Sequence, residues 1–366
     1  MGHLRGKRTT TKSRDLATPQ DAALRLIRRL EGGSSWDAAV RDLRKEWREA
    51  DEDRIHRAIQ WTRRYFRWRG ALAGSEPKRA SLDEAFELDQ RFAEGPQAFP
   101  DKILFKSLPR WAPRQLKLTA NWVRGLQASP STWLRFRGER PLDETYVSLS
   151  EWLARSDDFR VPGVPEGTLA SSAFKKWLAA QMGAAFIYTG EDDPFRMKAF
   201  EAGAFEIQDI ASQIAARCGE PKPGEKWWDV CAGEGGKTLA IAESMKNKGV
   251  VWASDRADWR LARLKKRAKR AKVFNIQIGD PTTLPAEVGF DGVLVDAPCT
   301  GIGVWGKRPE ARWRLEETAV EAIADALDNE AAYEPQEDRV ALVRPDQRMV
   351  IQLDMTSDGL PTADAS

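Results

Sequence analysis

Trp227-Trp-Asp-Val-Cys-Ala-Gly-Glu-Gly-Gly-Lys-Thr238 decides how this chain is read. A short apolar run feeds a glycine-rich turn, and the turn opens onto a helical pattern over residues 239–245. Gly233, Gly235 and Gly236 let the backbone turn sharply and let a ligand come close, since no Cβ stands in the way. Amides at the start of the following helix point at such a ligand. This is the strand–loop–helix pattern of a nucleotide-type cofactor site. It is not a phosphate-binding P-loop, because Gly-Gly-Lys-Thr lacks the spacer that the Walker pattern places after an earlier glycine.

Working outward, residues 250–254 read as a second strand that ends in Asp255. An acid there, about 20 residues past the glycines, is placed to accept ribose hydroxyls. A basic helix over residues 257–272 leads to a third strand, 274–278, which ends in Gly279-Asp280. A fourth, 292–295, ends in Asp296. One glycine loop and three acids therefore fall at the carboxyl ends of successive parallel strands, where open α/β sheets bind ligands. Pro298-Cys299 follows directly and aims a thiol into the same crevice, where a lowered pKa would make it a nucleophile.

Asp229-Val-Cys-Ala-Gly-Glu-Gly-Gly-Lys-Thr238 and Asp296-Ala-Pro-Cys-Thr-Gly301 resemble the signature motifs of the RsmB/NOL1/NOP2/Sun family. Its members are S-adenosylmethionine-dependent RNA cytosine-C5 methyltransferases. Phe205-Glu-Ile-Gln-Asp-Ile-Ala-Ser-Gln213 resembles the segment that precedes the family's first Rossmann strand. The resemblance covers residues 199–315 and implies an α/β fold, a Rossmann-like class I methyltransferase domain. It implies S-adenosyl-L-methionine as cofactor, held by Cys231, Ala232, Gly233, Glu234, Gly235, Gly236, Lys237, Asp255, Asp280 and Asp296. Asp255 would bind ribose, Asp280 the adenine amino group, and Asp296 the cytosine edge. Lys237 would pair with Asp296 and lower thiol pKa values electrostatically. Cys299, Asp296 and Lys237 are the catalytic candidates.

The chemistry explains the thiol. Cytosine C5 is a poor nucleophile until a thiolate adds to C6 and makes it enamine-like. In the family a second cysteine, in a Thr-Cys after the next strand, is that nucleophile, and the Pro-Cys cysteine helps release product. Here residues 340–353 look like that strand, yet no cysteine follows and Asp354 stands roughly in its place. Three readings stay open. Cys299 is the nucleophile; or catalysis is lost and binding of RNA and cofactor retained; or the sequence is a shortened version of a longer gene, without the strands that close the sheet. The third is favoured for origin, with the family's activity as the functional expectation.

Composition sets bounds. A chain of 366 residues suggests two or three domains, and a hydrophobic fraction of 42% is enough for real cores. Net charge is only +3, but Lys and Arg are clustered. No apolar run approaches the ~18 residues of a membrane helix, and the basic N-terminus lacks the apolar core of a secretory signal. Three cysteines, two inside motifs, point to reduced cytoplasmic thiols. Only His3 and His56 exist, both far from the motifs, which argues against a Ser-His-Asp site or a histidine zinc site. No metal is expected, no membrane partner, and a monomer. Cys218 reads as a small core residue.

Residues 1–14 read as a basic tail. From Thr18, with Pro19 at the first helical position, apolar residues at helical spacing (Ala22, Ala23, Leu26, Ile27, Leu30) open a helical domain spanning 15–125. It lies where family members acting on ribosomal RNA carry a NusB-like domain, so ribosomal RNA is the expected substrate before transfer RNA. A small α+β, RRM-like piece is expected over 126–198, the methyltransferase domain over 199–356, and a tail over 357–366. Arg63, Arg64 and Arg67 alternate with aromatics and suit RNA through phosphate pairing and stacking. The alternative is aromatics facing the core and arginines facing water. Arg135 and Arg137 on the 131–137 strand, and Arg260 on the basic helix, are further RNA candidates.

Overall fold

Thr18 caps the first helix of the computed structural model, its hydroxyl accepting from the Asp21 amide while Asp21 reaches back to the Thr18 amide. The structure describes residues 18–47, 52–74, 76–138, 143–155, 178, 180–279, 289–296, 300–320 and 341–343. They fall into two compact units, residues 1–110 with 308–314, and residues 111–307 with 315–366.

The first unit is helical: α1 (Pro19–Glu31), α2 (Trp36–Glu46), α3 (Glu52–Trp68), α4 (Arg79–Glu94) and α5 (Asp101–Lys106). The predicted stripe Ala22, Ala23, Leu26, Ile27 and Leu30 is buried. It packs with Ala39, Val40 and Leu43 of α2 and Ala58, Tyr65 and Phe66 of α3 in one core. Burying that stripe is what holds so polar a sequence helical, because isolated helices of this length are marginal in water. Residues 308–314, from far down the chain, complete the unit. Trp313 donates from its indole to the Phe66 carbonyl at 2.8 Å. The expected division at residue 125 therefore moves to 110, and the expected 199–356 domain gives up a short segment to the helical unit.

The second unit begins with α6 (Ala112–Gln115) and α7 (Ala120–Gln127) and carries two sheets. The smaller joins β1 (Thr132–Phe136), β2 (Tyr146–Ser148), β3 (Ala185–Tyr188) and β4 (Phe205–Ile207) in the antiparallel order β2-β3-β1-β4. Helix α8 (Leu149–Arg155) follows β2, and α9 (Lys198–Glu201) precedes β4. Residues 205–207, expected within the 199–356 domain, pair instead with β1 of the small sheet. Much of the stretch expected to complete this piece, 156–177, lies outside the described residues.

After α10 (Ile210–Cys218) comes the larger sheet: β5 (Lys226–Asp229), α11 (Gly236–Ser244), β6 (Val250–Ala253), α12 (Asp258–Ala271), β7 (Ile276–Ile278), β8 (Gly292–Val295) and β9 (Ala341–Val343). Its order is β7-β6-β5-β8-β9. The first four strands are parallel and reverse direction of growth at β5, while β9 runs antiparallel to β8. Trp133, Leu149 and Ile187 of the small sheet region share one core with Trp227, Leu239, Val251 and Leu294. The two sheets are thus one packed body rather than two domains. Among the described residues, no helix is long and apolar enough to cross a membrane.

Candidate functional site

The order reversal between β6, β5 and β8 makes a switch point, and the glycine loop leaves β5 there. Gly233 and Gly235 both have positive φ, +53° and +83°, and Gly235 caps α11 in the left-handed conformation. A Cβ on Gly235 would lie 2.0 Å from Leu264 Cδ1, so glycine is what lets α12 pack against the loop. A Cβ on Gly233 would meet nothing within 4 Å. The loop thus shows open space at Gly233 and a helix start behind it, which is a cradle for a closely approaching ligand.

Asp255, at the end of β6, accepts from the Gly233 amide at 2.8 Å and from the Ala257 amide at 2.9 Å. It holds the glycine loop to the second strand. Lys237, in the first turn of α11, donates to Asp296 after β8. Glu234 pairs with Arg263 of α12, and its carbonyl accepts from Arg267 at 2.9 Å. Beneath the loop Asp229 is buried and accepts from the Thr238 hydroxyl at 2.6 Å. Burial pushes its carboxyl up to about 7, against the Thr238 hydrogen bond, with Asp296 adding to the rise.

Cys231, Ala232, Gly233, Glu234, Gly235, Gly236, Lys237, Asp255 and Asp296 are therefore gathered at one rim of the sheet. Asp280 and Cys299 lie outside the described residues, as does Asp354. One electrostatic expectation is corrected. The Cys231 thiol is raised above its ordinary value, by burial first and then by Asp229, Asp255 and Asp296. Burial and these three acids together outweigh the Arg256 guanidinium, so Cys231 is a poor thiolate. Cys218 is a core residue whose thiol burial pushes up to about 12.

Most of the arginines expected to meet RNA are spent on internal pairs. Arg67 is buried and bonds Asp89 at 2.6 Å, and Arg64 reaches the same carboxylate at 3.2 Å. Arg63 is half-buried, with its guanidinium 5.5 Å from the Trp36 ring centroid. The exposed basic-aromatic patch expected on α3 is not there, because helical spacing turns Tyr65, Phe66 and Trp68 into the core and draws the arginines toward α4 and α2. Arg135 is fully buried, bonding Gln208 at 2.9 Å and pairing with Glu243 of α11. Arg137, on the same strand face, pairs with Glu243 and lies 3.1 Å from Glu206. Neither faces solvent as an RNA contact would. Arg260 is exposed, 4.0 Å from Asp255.

Two features escaped the sequence. Glu206 on β4 is buried and surrounded by Arg137, Arg267 and Arg270. Burial alone would raise its carboxyl, but those guanidiniums outweigh it and hold it at about 2. An acid inside a short strand was its one signal. The other is Trp259, an aromatic in a basic helix, which is 55% exposed. Among the described residues, no group of three or more His, Cys, Asp or Glu could hold a metal ion.

Residues 216–329 match the family model described as 16S rRNA methyltransferase RsmB/F. A Synechocystis sp. protein named "Probable ribosomal RNA small subunit methyltransferase B" is 38% identical over 124 residues, 32% of this chain and 28% of that one. The tRNA (cytosine(72)-C(5))-methyltransferase of Pyrococcus horikoshii is 40% identical over 120 residues, 32% of this chain and 31% of that one. Ribosomal RNA small subunit methyltransferase B of Citrobacter koseri is 28% identical over 225 residues, 59% of this chain and 48% of that one. The chain thus spans less than half the length of these relatives. The crystal structure of PH0851 aligns with a TM-score of 0.55 and 21% identity, over 87% of this chain and 83% of that one. At that identity the likeness is one of fold.

Proposed function

We propose that this chain, whose residues 216–329 match the RsmB/F methyltransferase family model and whose larger sheet is Rossmann-like, methylates cytosine C5 in RNA, ribosomal RNA before transfer RNA. The observation that carries this reading is the rim of the larger sheet, where the glycine loop, Asp255 and the Lys237–Asp296 pair converge. The cofactor is S-adenosyl-L-methionine, and the residues fit it. Open space faces Gly233, the α11 amides follow, and Asp255 stands at the end of the neighbouring strand. When bound, it supplies an electrophilic methyl group on a sulfonium.

The chain's own residues do the rest. Asp255 and the amides orient the cofactor; Asp280 is assigned to the adenine amino group by the family motif. Lys237 holds Asp296 in place, so that its carboxyl group can accept from the exocyclic amine at the cytosine edge. Cys299, three positions beyond Asp296, is assigned as the thiolate. Its sulfur adds to C6 and places electron density on C5. After methyl transfer, solvent water takes the C5 proton, the C–H electron pair re-forms the C5–C6 double bond, and the C6–S bond breaks to return the Cys299 thiolate.

A second reading has its own support: Asp354 occupies roughly the place of the family's Thr-Cys cysteine. On that reading the protein binds RNA and cofactor without turnover. Methyl transfer from radiolabelled cofactor to small-subunit ribosomal RNA separates the two. The proposal expects 5-methylcytosine with the native chain, none above background with Cys299→Ala, and at least a 100-fold loss with Asp296→Ala. Cofactor binding without any transfer by the native chain supports the second reading instead. Undiminished transfer by Cys299→Ala removes Cys299 from the chemistry.

A further inference from the structure

Helix α12 presents a surface that the proposed chemistry does not use. Leu261, Leu264, Ala268 and Ala271 bury one side against the sheet. On the other, Arg260, Lys265, Lys266, Lys269 and Lys272 are exposed, and Asp258 is the helix's one acid. Among the described residues, Lys265, Lys266, Lys269 and Lys272 form no ion pair. A charge row of this kind suits a polyanion.

Trp259 makes the row specific. Its indole is 55% exposed in the first turn of α12, with the Arg263 and Arg260 guanidiniums 4.8 Å and 5.3 Å from the ring centroid. Leaving so large an aromatic in water forgoes burial that its packing elsewhere would gain. The two arginines are in turn tied to the cofactor rim. Arg263 pairs with Glu234 of the glycine loop, and Arg260 lies 4.0 Å from Asp255. The indole is therefore held at a fixed place beside the cradle.

We propose that Trp259 is a stacking platform for an unpaired base of the substrate RNA, and that Lys265, Lys266 and Lys269 follow the phosphates leading away from it. This rests on the RNA reading above and says where the strand runs. Aromatic faces flanked by arginine accept any base, and cations track the backbone. From Trp259 to Lys269 the helix extends about 15 Å, room for more than one phosphate. An acidic protein would satisfy the lysines but offer no flat partner to the indole.

The test is fluorescence anisotropy of the full chain with a short, unstructured, labelled pyrimidine oligoribonucleotide, at several salt concentrations, alongside calorimetric titration of the cofactor. Trp259→Ala should weaken RNA binding roughly 10-fold, within the range of a lost base–aromatic stack. Trp259→Phe should retain affinity within about 3-fold, because its ring still stacks. Lys265→Ala with Lys266→Ala should reduce the salt slope by about 1.4, at ~0.7 per single-strand phosphate contact. Cofactor affinity should stay at the native level in all three. Native RNA affinity in Trp259→Ala overturns the platform and leaves the methyl-transfer reading standing. Failure of the native chain to bind any RNA removes both. Parallel loss of cofactor affinity in Trp259→Ala makes the indole a support of the cradle, and equal binding of a polyglutamate peptide makes the surface a protein site; either result ends the proposal.

Discussion

Gly233 and Gly235 sit two positions apart and answer to different forces. Both hold positive φ, which costs an L-residue roughly 1 kcal/mol or more. At Gly235 a methyl would also strike Leu264, with Cδ1 at 2.0 Å and Cγ at 2.9 Å. Gly235→Ala should therefore cost about 3 kcal/mol, strain and overpacking together. Gly233→Ala meets no atom within 4 Å and should cost only about 1 kcal/mol. Its methyl would instead occupy the space offered to the cofactor, so cofactor affinity should fall at least 10-fold with little change in stability. Urea denaturation and calorimetric titration of both variants check this; a Gly233→Ala chain that binds cofactor normally would show the open space to be unused. That these positions needed glycine was legible from the motif. Which of them packs and which admits a ligand was not, because Leu264 lies well beyond the loop and its approach depends on how α12 folds back.

Elements are joined here by charge as much as by apolar contact. Glu206 brings β4 to α12 through Arg267 and Arg270, and Glu243 brings α11 to β1 through Arg135 and Arg137. Glu206 has a carboxyl held at about 2 against an ordinary 4.5. A depressed carboxylate contributes stability that is fully present above its unfolded value and is lost as pH falls through the folded one. The contribution, on the order of 3 kcal/mol, should fade between pH 4.5 and 2. Glu206→Gln should cost about 3–5 kcal/mol at neutral pH, because it strands buried guanidiniums, and its stability should vary less over that acid window. Parallel native and variant curves of stability against pH would assign the acid sensitivity elsewhere. The local patterns of α1, α12, β6 and β8 were readable, since apolar spacing is a short-range signal. The ion pairs were not. Arg135 and Glu243 are 108 positions apart, and a basic residue in a strand looks the same whether it meets water or a distant acid. That is why Arg135, Arg137 and Arg67 were expected at an RNA surface.

At the scale of the molecule, residues 308–314 belong to the helical unit, although the chain on either side of them belongs to the other. Nothing in composition marks that excursion, because a seven-residue segment is too short to show a period. The small antiparallel sheet likewise shares the core of the larger one, which no linker-like sequence foretold. The parallel strands of the sheet and its glycine loop were legible because both follow from a motif read in sequence order. On the proposed function this rim holds S-adenosyl-L-methionine, and Asp255, which fastens the glycine loop, is also its ribose partner. Calorimetric titration of the full chain with S-adenosyl-L-methionine, native and Asp255→Asn, tests it most directly. Saturable one-site binding by the native chain is expected, with at least a 10-fold weaker affinity in Asp255→Asn. No binding by the native chain, or equal affinity in the two, would contradict it.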